Sequence, residues 1–248
     1  MRLMNRVVLI TGGGRGIGAA TAKVAAAEGG RVVIADMLEA EGEATAAAIR
    51  AGGGRALFVR TDVTAEADCA RLAQAAAEAF GGIDALVCCA GILQGAMQEA
   101  EALEPAVFDR VLQVNLKGAF LTVRAALPHL RKAARAAVIL LASEAGVKIP
   151  SSSLAYGASK GGVHGLAMTL EAQLAPHGIR VNDVCPSSIA TPMRIENLVD
   201  RAKAAGQDPE EARARAIREA GDPLGVAKIL AFLASPDAEY LRGTIFTR

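Results

Sequence analysis

Short apolar runs alternate with longer alanine-rich segments along almost the whole chain, and this alternation restricts the fold more than any other feature. The runs Arg6–Thr11, Arg31–Asp36, Ala56–Asp62, Ile83–Ala90, Ala136–Ser143, Ile179–Cys185 and Gly243–Phe246 are the candidate strands. Several are rich in Val, Ile and Leu without polar alternation, as suits strands covered on both faces of a parallel sheet. Between them, Ile17–Glu28, Glu39–Ala51, Glu66–Phe80, Pro105–Lys132, Leu154–Leu174 and Gly225–Leu233 carry helical spacing. Glycines at 29–30, 52–54 and 81–82 follow three of these segments, where a left-handed cap is tolerated. The pattern predicts an α/β fold: a doubly wound, mainly parallel seven-stranded sheet with helices on both faces.

A chain of 248 residues can bury a sufficient core without a metal or a disulfide. No internal repeat or linker stands out, so residues 1–248 read as one domain. The unusually charged segment 187–222 interrupts the alternation and reads as a helical flap over the sheet's carboxyl edge. The formal net charge of +1 creates no field to draw in nucleic acid or an anionic membrane. Aromatic residues make up 3% with no tryptophan, which argues against base-stacking platforms. No apolar stretch approaches the ~20 residues of a membrane span, and Val7–Ile10 is too short for a signal peptide. The expected location is the cytoplasm. Cys69, Cys88, Cys89 and Cys185 fall in no zinc or redox spacing, and His129, His164 and His177 form no ligand cluster, so no metal site is expected. Cys88 and Cys89 should face opposite ways as buried thiols. His164 reads as a packed or solvated side chain.

The first strand runs into Thr11-Gly12-Gly13-Gly14-Arg15-Gly16-Ile17-Gly18. A strand-to-helix turn that meets a pyrophosphate must bring backbone close and aim free N–H groups at it, and side chains would block the approach. The spacing is neither the literal dinucleotide fingerprint nor a Walker loop. Asp36 closes the second strand, where a carboxylate can bond both ribose hydroxyls of an adenosine and repel a 2′-phosphate. The expected cofactor is therefore NAD, with NADP the alternative, since Arg15 could reach a phosphate at the same corner. Asp62, followed by Val63, ends the third strand and could meet the adenine edge, cap the next helix, or both.

Tyr156 and Lys160 lie four apart and so share one face of a helix. An adjacent ammonium favours a phenolate and lowers its pKa, which would let Tyr156 exchange a proton with an alcohol or ketone oxygen. Ser143 ends the fifth strand at the edge where ligands bind, and its hydroxyl can orient the reacting oxygen.

Together these motifs resemble the short-chain dehydrogenase/reductase family over nearly the whole chain. Thr11–Gly18 is similar to that family's Thr-Gly-x-x-x-Gly-x-Gly loop, and Asn115, Ser143, Tyr156 and Lys160 stand where its catalytic tetrad stands. The resemblance implies a Rossmann domain, with Lys160 holding the nicotinamide ribose and Asn115 bending a helix to support a proton-relay water. It also implies that Ala90, Gly91 and Pro186 frame the cofactor, and that Ile189 and Thr191 hold the carboxamide. Three departures stand out. The family's Asn-Asn-Ala-Gly is Cys88-Cys89-Ala90-Gly91, and thiols cannot replace amide hydrogen bonds. Its Pro-Gly is Pro186-Ser187, and its Asp-Gly-Gly tail is replaced by Thr247-Arg248. That tail often meets another subunit; a homo-oligomer, tetramer or dimer, is still expected.

The substrate pocket should be walled by Leu93, Gln94, Glu144, Ser153, Ser188 and Met193. This small, polar set suits a hydroxylated or cyclic small molecule. The leading reading is an NAD(P)-dependent oxidoreductase acting on a secondary alcohol or ketone. Two others stay open: an NADPH-dependent 3-oxoacyl thioester reductase, and a dinucleotide sensor or scaffold without turnover.

Overall fold

The structure, a computed structural model, describes residues 1–247; Arg248, the last residue of the substituted tail, lies outside the described residues. The elements in order are β1 (Val7–Thr11), α1 (Gly16–Ala27), β2 (Arg31–Asp36), α2 (Glu39–Ala51), β3 (Arg55–Arg60), α3 (Glu66–Phe80), β4 (Ala85–Cys88), α4 (Pro105–Leu112), α5 (Gly118–Leu130), β5 (Ala137–Leu141), α6 (Leu154–Leu174), β6 (Arg180–Pro186), α7 (Pro192–Ala204), α8 (Pro209–Arg218), α9 (Pro223–Ala234) and β7 (Gly243–Thr247). Among the described residues seven strands join one sheet in the order β3-β2-β1-β4-β5-β6-β7, and every pairing is parallel.

The continuous apolar runs have the expected cause. Val7 and Leu9 of β1 pack into one core cluster, and Val8 and Ile10 into another on the opposite face. Adjacent strand residues point to opposite faces, so a strand covered on both sides must be apolar at every position. Cys88 and Cys89 follow the same rule, one packed in each cluster. The strand order reverses direction of growth at β1 and β4, and a crevice opens there at the carboxyl edge.

Boundaries differ from the sequence expectation in instructive ways. The third and fifth strands stop at Arg60 and Leu141, before Asp62 and Ser143. The stretch expected as one helix from Pro105 to Lys132 is α4 and α5 joined by a single π-turn, Gln113–Lys117. The last helix starts at Pro223 rather than Gly225, because the Asp222 carboxylate caps it by accepting from Leu224 N at 2.8 Å. Among the described residues no helix is long and apolar enough to cross a membrane.

Candidate active site

The carboxyl ends of the central strands open into one cleft of about 690 Å³. At one end lies the glycine turn. Gly12 has φ of +65°, and a Cβ there would sit 2.7 Å from Ala90 N. A Cβ on Gly18 would fall 2.0 Å from Gly12 O, so only glycine lets α1 start this close to the turn. No side chain caps α1, and the first amides of a helix have no partner within it. Gly16, Ile17 and Gly18 line the cleft at this point. The donor set fits the pyrophosphate of a dinucleotide.

Asp36 closes the same end. Its Oδ2 accepts from Gly14 N at 2.9 Å and its Oδ1 from Leu38 N at 3.0 Å, which fixes the carboxylate at the cleft wall. Arg15 also lines the cleft, but its guanidinium reaches across to Glu196 on α7 at 3.2 Å. Ala90 and Gly91 form the opposite wall, and Ala90 N donates to Thr11 Oγ1 at 3.3 Å. The Cys88 thiol is buried in the core and burial pushes its pKa up; Cys89 borders the cleft and is pushed up to about 12 by the same cause.

At the other end, Ser143, Tyr156 and Lys160 meet on the cleft wall. Ser153 caps α6, accepting from Tyr156 N at 3.1 Å, so the cap fixes the turn that carries the tyrosine. Lys160 is buried, and its Nζ donates to Leu141 O at 2.6 Å. Burial pulls the ammonium down to about 8, while the nearby thiols of Cys89, Cys185 and Cys88 oppose the shift.

The expected acidification of Tyr156 by Lys160 is not what the protein alone provides. Burial pushes the phenol above its ordinary value of 10.0, and the Ser143 hydroxyl pulls only partly the other way. The ammonium lies 5.6 Å from the centroid of the Tyr156 ring and is bonded to a backbone carbonyl. Desolvation therefore outweighs the charge.

Asn115 stands in the π-turn, buried and off the cleft wall. Its Oδ1 accepts from Ile92 N at 2.8 Å, and its Nδ2 donates to Ile92 O at 3.0 Å and to Ser159 Oγ at 2.9 Å. It ties the loop after β4 to the helix that carries Tyr156. The wide turn supplies the room, since a π-turn commonly marks a functional site.

Three expected contacts lie elsewhere. Asp62 does not line the cleft, where Thr61 and Val63 do. Its Oδ1 accepts from Thr64 N at 2.9 Å and Thr64 Oγ1 at 2.8 Å, closing a local turn. It does not cap α3 either, whose capping position is Ala65. Gln94 is absent from the wall because its segment is pinned through its carbonyl, which accepts from Ser153 Oγ at 2.6 Å. Ser153 itself is buried under α6, and Leu93 and Ser152 line the cleft instead.

Glu144, Pro186, Ser188, Ile189, Thr191 and Met193 do reach the cleft. Glu144 is held 3.3 Å from Lys148, and hydrogen bonds with Ser187 and then Lys148 keep its carboxyl below the usual range. Thr191 caps α7, its hydroxyl accepting from Arg194 N at 3.4 Å. The sequence reading missed Arg194, Asn197, Leu198 and Arg201, which also line the cleft. Their spacing was the available signal, since with Met193 they form one face of α7. It also missed the partner of His164, whose Nδ1 lies 3.0 Å from Oδ2 of the buried Asp183.

Residues 6–202 match the family model for short chain dehydrogenases. The chain is 36% identical to the 2,5-dichloro-2,5-cyclohexadiene-1,4-diol dehydrogenase of Sphingobium indicum, over 98% of this chain and 94% of that one. It is 39% identical to the cis-4-hydroxycyclohexanecarboxylate dehydrogenase of Sinomonas cyclohexanicum, over 97% and 93%. Among solved structures, levodione reductase shares 33% identity and superposes with a TM-score of 0.90, over 99% and 96% of the two chains.

Proposed function

The chain belongs to the short-chain dehydrogenase/reductase family, and from that premise we propose that it oxidises a secondary alcohol on a small ring, or reduces the matching ketone, with NAD. The observation that carries this reading is the convergence of Ser143, Tyr156 and Lys160 on the cleft that also receives the uncapped start of α1. A bound nicotinamide would supply the hydride acceptor or donor. The protein supplies the rest. Ser143 orients the substrate oxygen, Tyr156 takes its proton in oxidation and returns it in reduction, and Lys160 bonds the ribose. Gly16, Ile17 and Gly18 hold the pyrophosphate, Asp36 the adenosine ribose, and Ala90, Gly91, Pro186, Ile189 and Thr191 frame the nicotinamide half. Asn115 acts through position, by holding the Ile92 loop against α6.

NAD is favoured over NADP because Asp36 fixes a carboxylate on the cleft wall beside the glycine turn, and that charge would repel a 2′-phosphate. A small ring is favoured by the named substrates of the relatives above and by a wall that mixes Leu93, Ser188 and Met193. The segment 187–222, which carries α7 and α8, serves in this reading as the flap over the substrate within a single domain. The reading includes a dimer or tetramer, supported by the exposed apolar side chains Phe120, Met168 and Phe246; sedimentation velocity tests it.

The decisive experiment follows the reduced-nicotinamide absorbance over a panel of cyclic alcohols and ketones. Turnover with NAD is expected, and Tyr156→Phe should lower kcat by about 10³-fold while the Kd for NAD stays within about threefold. Near-normal turnover in that variant would rule out the proton transfer. Asp36→Ala should weaken NAD more than NADP, and an equal loss for both would show that the carboxylate does not discriminate.

A further inference from the structure

Among the described residues six charged side chains line the cleft: Arg15, Asp36, Glu144, Lys160, Arg194 and Arg201. Five are satisfied within the chain. Arg15 pairs with Glu196, Glu144 with Lys148, Asp36 accepts from two backbone amides, Lys160 donates to Leu141 O, and Arg194 donates to Ala216 O at 3.1 Å. The Arg201 side chain has no hydrogen bond or ion pair among the described residues, and it is exposed. Among the described charged residues on this wall it alone has a side chain without a partner in the chain.

Its neighbours define a receptor. Met193, Asn197 and Arg201 follow each other at four-residue steps on α7 and all reach the cleft, with Leu198 beside them. Four-residue steps place side chains one above the other on a helix face. The row spans about 12 Å, at about 1.5 Å per residue. Met193 and Leu198 offer apolar contact for a ring. Asn197, whose side chain likewise has no hydrogen-bond partner among the described residues, offers amide donors about one turn beyond Met193, and Arg201 offers a guanidinium about two turns beyond it. A planar guanidinium fork with an amide beside it matches a carboxylate, while a single free cation leaves a phosphate dianion under-compensated.

We propose that the substrate is a ring alcohol or ketone bearing a carboxylate, and that Arg201, with Asn197, binds that carboxylate from the flap. This rests on the dehydrogenase reading given above. It adds a specificity-determining residue on α7 to the cleft that holds Tyr156.

The test uses the full chain saturated with NAD. The substrates are 4-hydroxycyclohexanecarboxylate, as separate cis and trans isomers, and the methyl esters of both. The wild-type protein should prefer the acid over its ester by at least about tenfold in kcat/KM, with the difference carried by KM. Arg201→Ala should bring that ratio close to one, and Arg201→Lys should give an intermediate ratio because it keeps the charge and loses the fork. Equal use of acid and ester by the wild-type protein would overturn the inference while leaving the dehydrogenase reading intact. So would an Arg201→Ala variant that retains the preference, or one that instead weakens NAD binding, which would put the guanidinium on the cofactor. If no ring alcohol or ketone is turned over, the dehydrogenase reading fails on its own. The substrate inferred here then falls with it, and calorimetric binding of cyclohexanecarboxylate to the NAD complex decides the carboxylate site alone: binding lost in Arg201→Ala supports that site, and binding that is absent or unchanged refutes it.

Discussion

At the glycine turn the cleft wall is backbone, whereas at the Tyr156 end it is side chains brought in from several elements. Gly12 and Gly18 let two stretches of main chain come within contact of each other, and nothing there can relax by changing rotamer. Tyr156 and Lys160 come from α6, Ser143 from the loop after β5, and Asn115 reaches α6 through Ser159. The first end is defined by what residues lack. The second is defined by how far burial and hydrogen bonding move the properties of residues that are present. Shape at the first end therefore follows from residue type, while reactivity at the second follows from surroundings.

The largest expected effect breaks the backbone end. Gly18→Ala puts a Cβ 2.0 Å from Gly12 O, a collision with main chain that only a shift of α1 can relieve. The Kd for NAD should rise at least about 100-fold, beyond 2.7 kcal/mol, and the melting temperature should fall. Tyr156→Phe at the other end should leave both nearly unchanged. A Gly18→Ala protein that binds NAD normally would remove the distinction between the two ends.

The next prediction concerns the charge buried at the chemical end. Lys160 has its pKa drawn from 10.5 to about 8 because burial disfavours the ammonium. The unfolded chain therefore keeps this proton between about pH 8 and 10.5 while the folded chain releases it, and the wild-type protein gains stability as pH rises through that window. Below about pH 8 the full cost is present, roughly 3 kcal/mol. Lys160→Met keeps an unbranched apolar stem and removes the charge, but it gives up the bond to Leu141 O. At pH 7 the variant should be more stable by on the order of 2 kcal/mol, and the advantage should shrink by pH 10, while turnover is lost. Chemical denaturation at the two pH values measures it. A variant less stable at pH 7 would mean that the ammonium holds the site together rather than straining it.

The same contrast explains which parts of the molecule were legible in the sequence. Val8, Leu9 and Ile10 announce a strand buried on both faces, and Gly12, Gly16 and Gly18 announce the turn, because each depends on local residue type. Ser143, Tyr156 and Lys160 were found by spacing. What spacing could not show is where polar groups find partners. The π-turn that splits Pro105–Lys132 is tied to Asn115 bonding Ile92, far away in sequence. Gln94 and Ser153 bond each other instead of facing the substrate, and Asp62 spends its carboxylate on Thr64. Arg201 lies in the charged segment 187–222, whose pattern predicts a helical flap without showing which of its charges face the cleft.

A smaller effect is expected where α6 is anchored. Asp183 is buried on β6, and its carboxylate is met by His164 of α6 at 3.0 Å and by Thr244 of β7 at 2.8 Å. A buried carboxylate that loses a donor costs about 1–3 kcal/mol. His164→Ala should destabilise the protein by about that amount, whereas His164→Asn, whose amide can donate from nearly the same place, should recover part of it. Urea unfolding measures both. Equal losses in the two variants would assign the effect to packing of the ring rather than to its N–H.

The smallest signal bears most directly on how Tyr156 becomes a proton acceptor. The chain has two tyrosines and no tryptophan, and the other tyrosine, Tyr240, is 95% exposed. In a Tyr240→Phe protein the ultraviolet phenolate band therefore reports Tyr156 alone. Burial holds the phenol above its ordinary value of 10.0, so the phenolate band in the dinucleotide-free protein should stay below half of its full height as pH is raised to 10. Lys160→Ala should change this little, because Lys160 has released its own proton by about pH 8, below the range in which the phenol ionises. A midpoint near neutrality, shifted upward by Lys160→Ala, would show that the adjacent cation alone makes the base. A midpoint above 10 that falls when NAD is added would instead make acidification a property of the complex, and the chemical end would then depend on the glycine end for its reactivity as well as for its ligand.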